Sequence, residues 1–149
     1  MIIQIQPWIN WKEIIEIIKV VRSTFITEGK KTLELEKLTK DLTKSKYTIA
    51  YANGTLALYA ALKSLKIGRG DEVIVPNLTF IATANAVIMA GAKPVFCEVE
   101  KENLGICPKR IKSLINNKTK AIIPVHLYGY PCKMDEILKI SREFKIKII

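Results

Sequence analysis

Cysteine is scarce and poorly spaced for metal or disulfide chemistry. Cys97, Cys107 and Cys132 are odd in number and form no CxxC pair, which argues against a disulfide framework or a zinc site and fits a reducing, cytoplasmic setting. Histidine is scarcer still, with His126 alone. The start, MIIQIQPWINWKE, lacks a basic leader, a long apolar core and a small-residue cleavage site, so no secretory signal is expected. Charge is missing from Val73 to Ala92, about the length of a membrane span. Pro76, Asn77, Asn85 and Gly91 interrupt that stretch, however, and a strand over 72–76 followed by a buried helix over 79–90 accounts for the same residues without a membrane. Acidic residues are fewer than basic ones, 14 against 24, for a net charge of +10. Such an excess suits phosphate backbones when it is clustered, but the lysines interleave with Glu34, Glu36 and Asp41. The most one-sided patch, 101–120, has no aromatic residue to stack on bases. It reads as a solvated face, and no nucleic-acid partner is expected.

The chain is 149 residues long and 49% hydrophobic, enough for one α/β domain with a real core and too little for two. Asn10 followed by Glu13 has the form of a capping box, with Ile9 and Ile14 placed as a staple. A helix is therefore expected from Trp11, amphipathic through Trp11, Ile14, Ile15, Ile18, Val21 and Phe25. A linker over 26–31 follows, and then a second helix capped by Thr32, with Leu35, Leu38 and Leu42 on one side. This helical segment, 1–46, is expected to pack on a main domain over 47–149. From Tyr47 onward, apolar runs near 48–52, 72–75, 94–99, 120–125 and 146–149 alternate with helical patterns near 55–66, 79–90, 108–115 and 134–144. That alternation of roughly 25 residues is the βαβ rhythm of a parallel sheet. The strands are apolar throughout, as buried parallel strands are. The fold expected is α/β, a three-layer αβα arrangement with a mainly parallel sheet.

The stretch YTIAYANGTLALYAALKSL, 47–65, reads as a strand, a turn at Asn53-Gly54-Thr55 and an Ala/Leu helix. A helix opening at a glycine turn gathers unpaired N–H groups and the positive end of the helix dipole, which favours an anion. Gly54 admits a close ligand, and the Thr55 hydroxyl adds a donor. In parallel sheets ligands sit beyond the carboxyl ends of the strands. That criterion selects three loops: 53–55, 77–80 and His126-Leu127-Tyr128-Gly129. Gly68-Arg69-Gly70 is no dinucleotide fingerprint, because it follows a helix and lacks the third glycine.

The string NGTLALYAALKSLKIGRGDEVIVPNLTFIATANAVIMAGAKPVFCEVE, followed by TKAIIPVHLYGYPCKMDEI, resembles the DegT/StrS family of pyridoxal-phosphate-dependent sugar aminotransferases, from about Thr27 to Ile149. The resemblance implies the large domain of the fold-type-I enzymes, incomplete in this chain. It implies that Gly54 and Thr55 form the turn holding the phosphate of pyridoxal 5'-phosphate, with Leu56 adding a backbone N–H. Phe80 falls where the family places an aromatic ring against the cofactor, an arrangement that gains from offset stacking. His126 and, less specifically, Tyr128 fall near the active site. Thr83 and Asn85 are read as interior polar groups satisfied by backbone, as is usual in buried helices.

In that family the strand matching 145–149 runs into an acidic motif whose Asp pairs with the pyridine nitrogen, and the Schiff-base Lys comes much further on. Both are expected beyond residue 149, so no catalytic residue is assigned and these residues alone are not expected to transaminate. The resemblance implies the amino-terminal part of an enzyme of amino-sugar biosynthesis. Its substrates would be a nucleotide-linked keto-deoxy sugar and an amino donor, glutamate, and the enzyme would be a cytoplasmic homodimer. Two alternatives remain open: a sugar dehydratase of the same family, and a non-catalytic truncated binding or assembly module.

Overall fold

The structure, a computed structural model, describes residues 6–27 and 29–149. Glu28, part of the expected linker, lies outside the described residues. The chain divides into two compact units, one ending at Ala50 and the other running from Tyr51 to Ile149.

The first unit contains helix α1, Trp11–Ser23, and helix α2, Lys30–Thr43. The capping box at Asn10 forms as its sequence dictates. Asn10 Oδ1 accepts from the Lys12 N–H at 2.8 Å, and the Glu13 carboxylate accepts from the Asn10 N–H at 2.8 Å. The helix stops at Thr24, whose backbone is left-handed (φ 65°), so Phe25 falls beyond it. The second helix begins two residues before the expected cap: Gly29 takes the N-cap position without a side-chain bond, and Thr32 lies inside the first turn. No residue of either helix is buried. Residues 48–52, expected as a strand, form none. Within the first unit, Thr48 and Ala50 bond instead to α2, the Thr48 hydroxyl donating to the Glu36 carbonyl at 2.6 Å and the Ala50 N–H to the Glu36 carboxylate at 2.8 Å. A β-branched run becomes a strand only where a neighbouring ladder accepts it.

The second unit is a sheet between two helical layers. Its elements are α3 Gly54–Ser64, β1 Glu72–Pro76, α4 Ala82–Met89, β2 Lys93–Cys97, α5 Pro108–Leu114, β3 Thr119–Ile122, α6 Met134–Phe144 and β4 Lys147–Ile148. The order is β2-β1-β3-β4, and every pairing is parallel. Fully buried β1 lies inside the sheet. Pro94 sits on β2, an edge strand, where the missing N–H costs least.

Alternation along β1 and β3 sorts the core onto two faces. Val73, Val75, Ala121 and Ile123 pack with Leu62 of α3 and with Ala86, Val87 and Ala90 in and after α4. Ile74, Cys97 and Ile122 pack with Ile111 of α5 and with Ile137 and Ile140 of α6. This is the three-layer αβα arrangement. The uncharged stretch 73–92 becomes β1, α4 and the turn at Gly91 (φ 86°). Among the described residues no helix is long and apolar enough to cross a membrane. The helix expected to be buried over 79–90 starts at Ala82 and buries one face only: Thr83, Ala86 and Val87 are covered, whereas Asn85, Ile88 and Met89 are exposed. Asn85 is therefore not an interior group, and the buried Thr83 hydroxyl bonds to the Thr79 hydroxyl at 2.9 Å rather than to backbone.

Candidate functional site

The crossovers define where a ligand would sit. From β1 the chain leaves through α4 on one face toward β2; from β3 it leaves through α6 on the other face toward β4. β1 and β3 are neighbours, so a crevice opens between their carboxyl ends at a topological switch point. Loop 77–81 flanks it on one side and the segment from Ile123 to Gly129 on the other. The third expected loop opens α3. α3 has 11 residues, about 16 Å of helix, and a short turn joins its far end to the start of β1, about 16 Å of strand. The helix packs on α4, and its Leu62 joins the core on that face of the sheet.

At that turn Asn53 is the N-cap. Its Oδ1 accepts from the Leu56 N–H at 3.0 Å, and its carbonyl accepts from the Ala57 N–H at 3.1 Å. The Leu56 N–H is thus engaged by the cap. The N–H groups of Gly54 and Thr55 make no hydrogen bond among the described residues, leaving two donors at the positive end of the helix. A Cβ at Gly54 would meet no atom within 4 Å. Packing within the chain does not require glycine there, and open space lies above the turn. Phe80 precedes α4 and is 75% exposed, a large ring left in solvent at the edge of the crevice.

His126 follows β3 and is exposed. Its Nδ1 accepts from the Cys132 N–H at 3.1 Å. Tyr128, in the 3-10 turn Leu127–Gly129, adopts a left-handed backbone (φ 54°), followed by Gly129 (φ 83°). Two of the expected loops thus follow the carboxyl ends of the neighbouring strands β1 and β3, and the third opens α3, which packs on α4. Sequence reasoning missed two contributors. The cap role of Asn53 was readable from Asn preceding Gly-Thr at a helix start. The Cys132 amide had no signal, because a backbone donor is set by the path of a loop. Elsewhere, burial pushes the Cys97 thiol up to about 12, which leaves it protonated and no nucleophile. Among the described residues no cluster of His, Cys, Asp and Glu could hold a metal ion.

A doubly wound α/β unit with bare helix N–H groups, open space above a glycine and an exposed ring beside a switch point defines a domain suited to a flat, phosphate-bearing cofactor. Comparison with known proteins gives the family. The chain matches the DegT/DnrJ/EryC1/StrS aminotransferase family over residues 8–149, and it belongs to that family. It is 43% identical over 144 residues to an uncharacterised protein of Methanocaldococcus jannaschii, covering 97% of this chain and 37% of that one. An aminotransferase from Psychrobacter cryohalolentis superposes with a TM-score of 0.89 at 38% identity, covering 96% of this chain and 37% of the other. NtdA from Bacillus subtilis, solved with its bound cofactor PMP, superposes with a TM-score of 0.87 at 33% identity, covering 94% and 33%. A putative sugar aminotransferase from Streptococcus pneumoniae, solved in a PLP form, superposes with a TM-score of 0.87 at 34% identity, covering 95% and 36%. The chain spans little more than a third of their length.

Proposed function

We propose that this chain is the cofactor-cradling part of an aminotransferase that acts on a nucleotide-linked keto-deoxy sugar in the cytoplasm, with glutamate as amino donor. The bare N–H groups of Gly54 and Thr55 beneath open space carry this reading. They would hold the phosphate of pyridoxal phosphate, with the Thr55 hydroxyl as a further donor, and Phe80 would lie against the pyridine ring. When bound, the cofactor supplies the electron sink for moving an amino group. The chain's own part is to fix the phosphate, limit tilting of the ring and shield one of its faces. Loops 53–55, 77–81 and 126–129 contain no lysine, and Lys63 and Lys66 are exposed late in or just past α3. The groups that make the cofactor reactive therefore come from other residues of the complete enzyme. The exposed apolar side chains of α1, Trp11, Ile15 and Ile18 among them, support association with a second copy as a homodimer.

Fluorescence titration of the purified chain with pyridoxal phosphate, pyridoxal and inorganic phosphate tests the reading. Pyridoxal phosphate should bind at least about tenfold more tightly than pyridoxal, and inorganic phosphate should compete. Thr55→Val and Phe80→Ala should each weaken binding, and borohydride should trap no adduct on one specific lysine. Equal affinity for pyridoxal and its phosphate would rule out the phosphate cradle.

A further inference from the structure

His126 sits on a segment that a second loop grips from outside the sheet. The Cys132 N–H donates to His126 Nδ1 at 3.1 Å, and the Cys132 thiol donates to the Val125 carbonyl at 3.2 Å. Both ends of the 125–132 segment are thereby joined around the imidazole. The gripping loop runs from Glu100 to Gly105. Lys133 Nζ donates to Glu100 Oε1 at 2.8 Å, and Asn103 Nδ2 donates to the Pro131 carbonyl at 3.2 Å. Gly105 completes the grip by closeness, since a Cβ there would stand 2.9 Å from Cys132 Sγ and 3.2 Å from Cys132 Cα.

The gripping loop is itself closed. The Glu100 N–H donates to the Gly105 carbonyl at 2.8 Å, the Leu104 N–H to the Glu100 carbonyl at 2.9 Å, and the Gly105 N–H to Asn103 Oδ1 at 2.9 Å. Leu104 accepts a left-handed backbone (φ 56°) to make that turn. A branched side chain is uncommon in that region, and here the surrounding bonds hold it.

These contacts decide a point of chemistry. A neutral imidazole has one N–H and one bare nitrogen, and the nitrogen that accepts from an amide must be the bare one. We propose that Cys132, held by the 100–105 loop, fixes His126 as the Nε2–H tautomer. His126 then presents a hydrogen-bond donor at the crevice and acts on no substrate proton through Nδ1, which is already engaged. Gly105 and Asn103 are positioning residues acting through Cys132. An electron-rich oxygen is the partner this donor suits, and its assignment to a phosphate-bearing cofactor or its substrate rests on the proposed function; the tautomer does not.

A single histidine makes the test direct, because a ¹⁵N-labelled chain gives one pair of ring nitrogens. With the ring neutral and no cofactor present, long-range ¹H–¹⁵N correlations should show a bare Nδ1 and a protonated Nε2. A ¹⁵N–¹⁵N coupling should cross the hydrogen bond from the Cys132 amide to Nδ1. Gly105→Ala should abolish that coupling and speed exchange of the Cys132 amide roughly tenfold, as for loss of one hydrogen bond. Should that variant fail to fold, Asn103→Ala, which removes the bond to the Pro131 carbonyl and the one from the Gly105 N–H but adds no atom against Cys132, should weaken the coupling and speed exchange by a smaller factor. Protonated Nδ1, or ring shifts of a free imidazole without coupling, would overturn the tautomer. Coupling left intact in the folded variants would overturn the role of the 100–105 loop. A chain that binds no pyridoxal phosphate yet shows the coupling refutes the function and leaves this inference standing.

Discussion

Asn53 engages two amides of α3 at once, with its side chain on Leu56 and its carbonyl on Ala57. Losing the side-chain half should cost about 1 kcal/mol. Asn53→Ala is therefore expected to lower the denaturant midpoint with the slope unchanged, as urea unfolding would show. Glu72 makes a different prediction. Its carboxyl is held below the ordinary 4.5 of a glutamate, chiefly by the hydrogen bond from Asn116 Nδ2 at 2.8 Å, with Lys93 adding to it against the opposing effect of burial. A lowered folded value gives stability that is complete above about pH 4.5 and is lost as pH falls through the folded value. Across acid titrations of stability, Glu72→Gln should fall below the parent near neutral pH. The two curves should converge well below pH 4.5, and a gap constant with pH would refute the account. At this scale the sequence was informative wherever a residue type has one strong local use. Asn10 and Glu13 formed their box, and Gly54 and Thr55 proved to hold bare donors. It was uninformative for Cys132, whose backbone amide rather than side chain meets His126.

Elements were legible to the extent that they are locally determined. The strands over 72–76, 93–97 and 119–122 overlap the runs expected near 72–75, 94–99 and 120–125, the latter two ending early at Cys97 and Ile122; β1, buried at every position, is apolar because it is covered on both faces. Residues 48–52, also a β-branched and aromatic run, made no strand, since pairing comes from elsewhere in the chain and cannot be read from the run itself. The error on α4 was of another kind. Nearly every residue from Ile81 to Ala90 is apolar, so periodicity could not show that the helix covers the sheet with one side only. That distinction has an energetic consequence. Ile74 is fully buried between sheet and helices, while Ile88 is 59% exposed. Ile74→Ala should destabilise by about 2–5 kcal/mol, and Ile88→Ala by about 0.5 kcal/mol or less. Thermal melts of the two variants side by side would check the contrast.

For the molecule as a whole, the family and the layered fold were legible because several segments agree in order and spacing, and no single motif carried the match. The arrangement of α1 and α2 was not, since their apolar faces state only that something covers them. One further consequence concerns the order in which the sheet comes into being. Among the described residues β1 is the first of four strands and lies inside the sheet, with β2 added on one side and β3, then β4, on the other. Growth is outward in both directions from the earliest strand, so the segment that every later strand needs is available soonest to a chain emerging amino-terminus first. A folding nucleus centred on β1 should make Ile74→Val slow refolding, whereas Ile148→Val, out on the last strand, should chiefly accelerate unfolding. Stopped-flow rates for the pair would separate them, and equal partitioning between the two limbs would place the nucleus elsewhere.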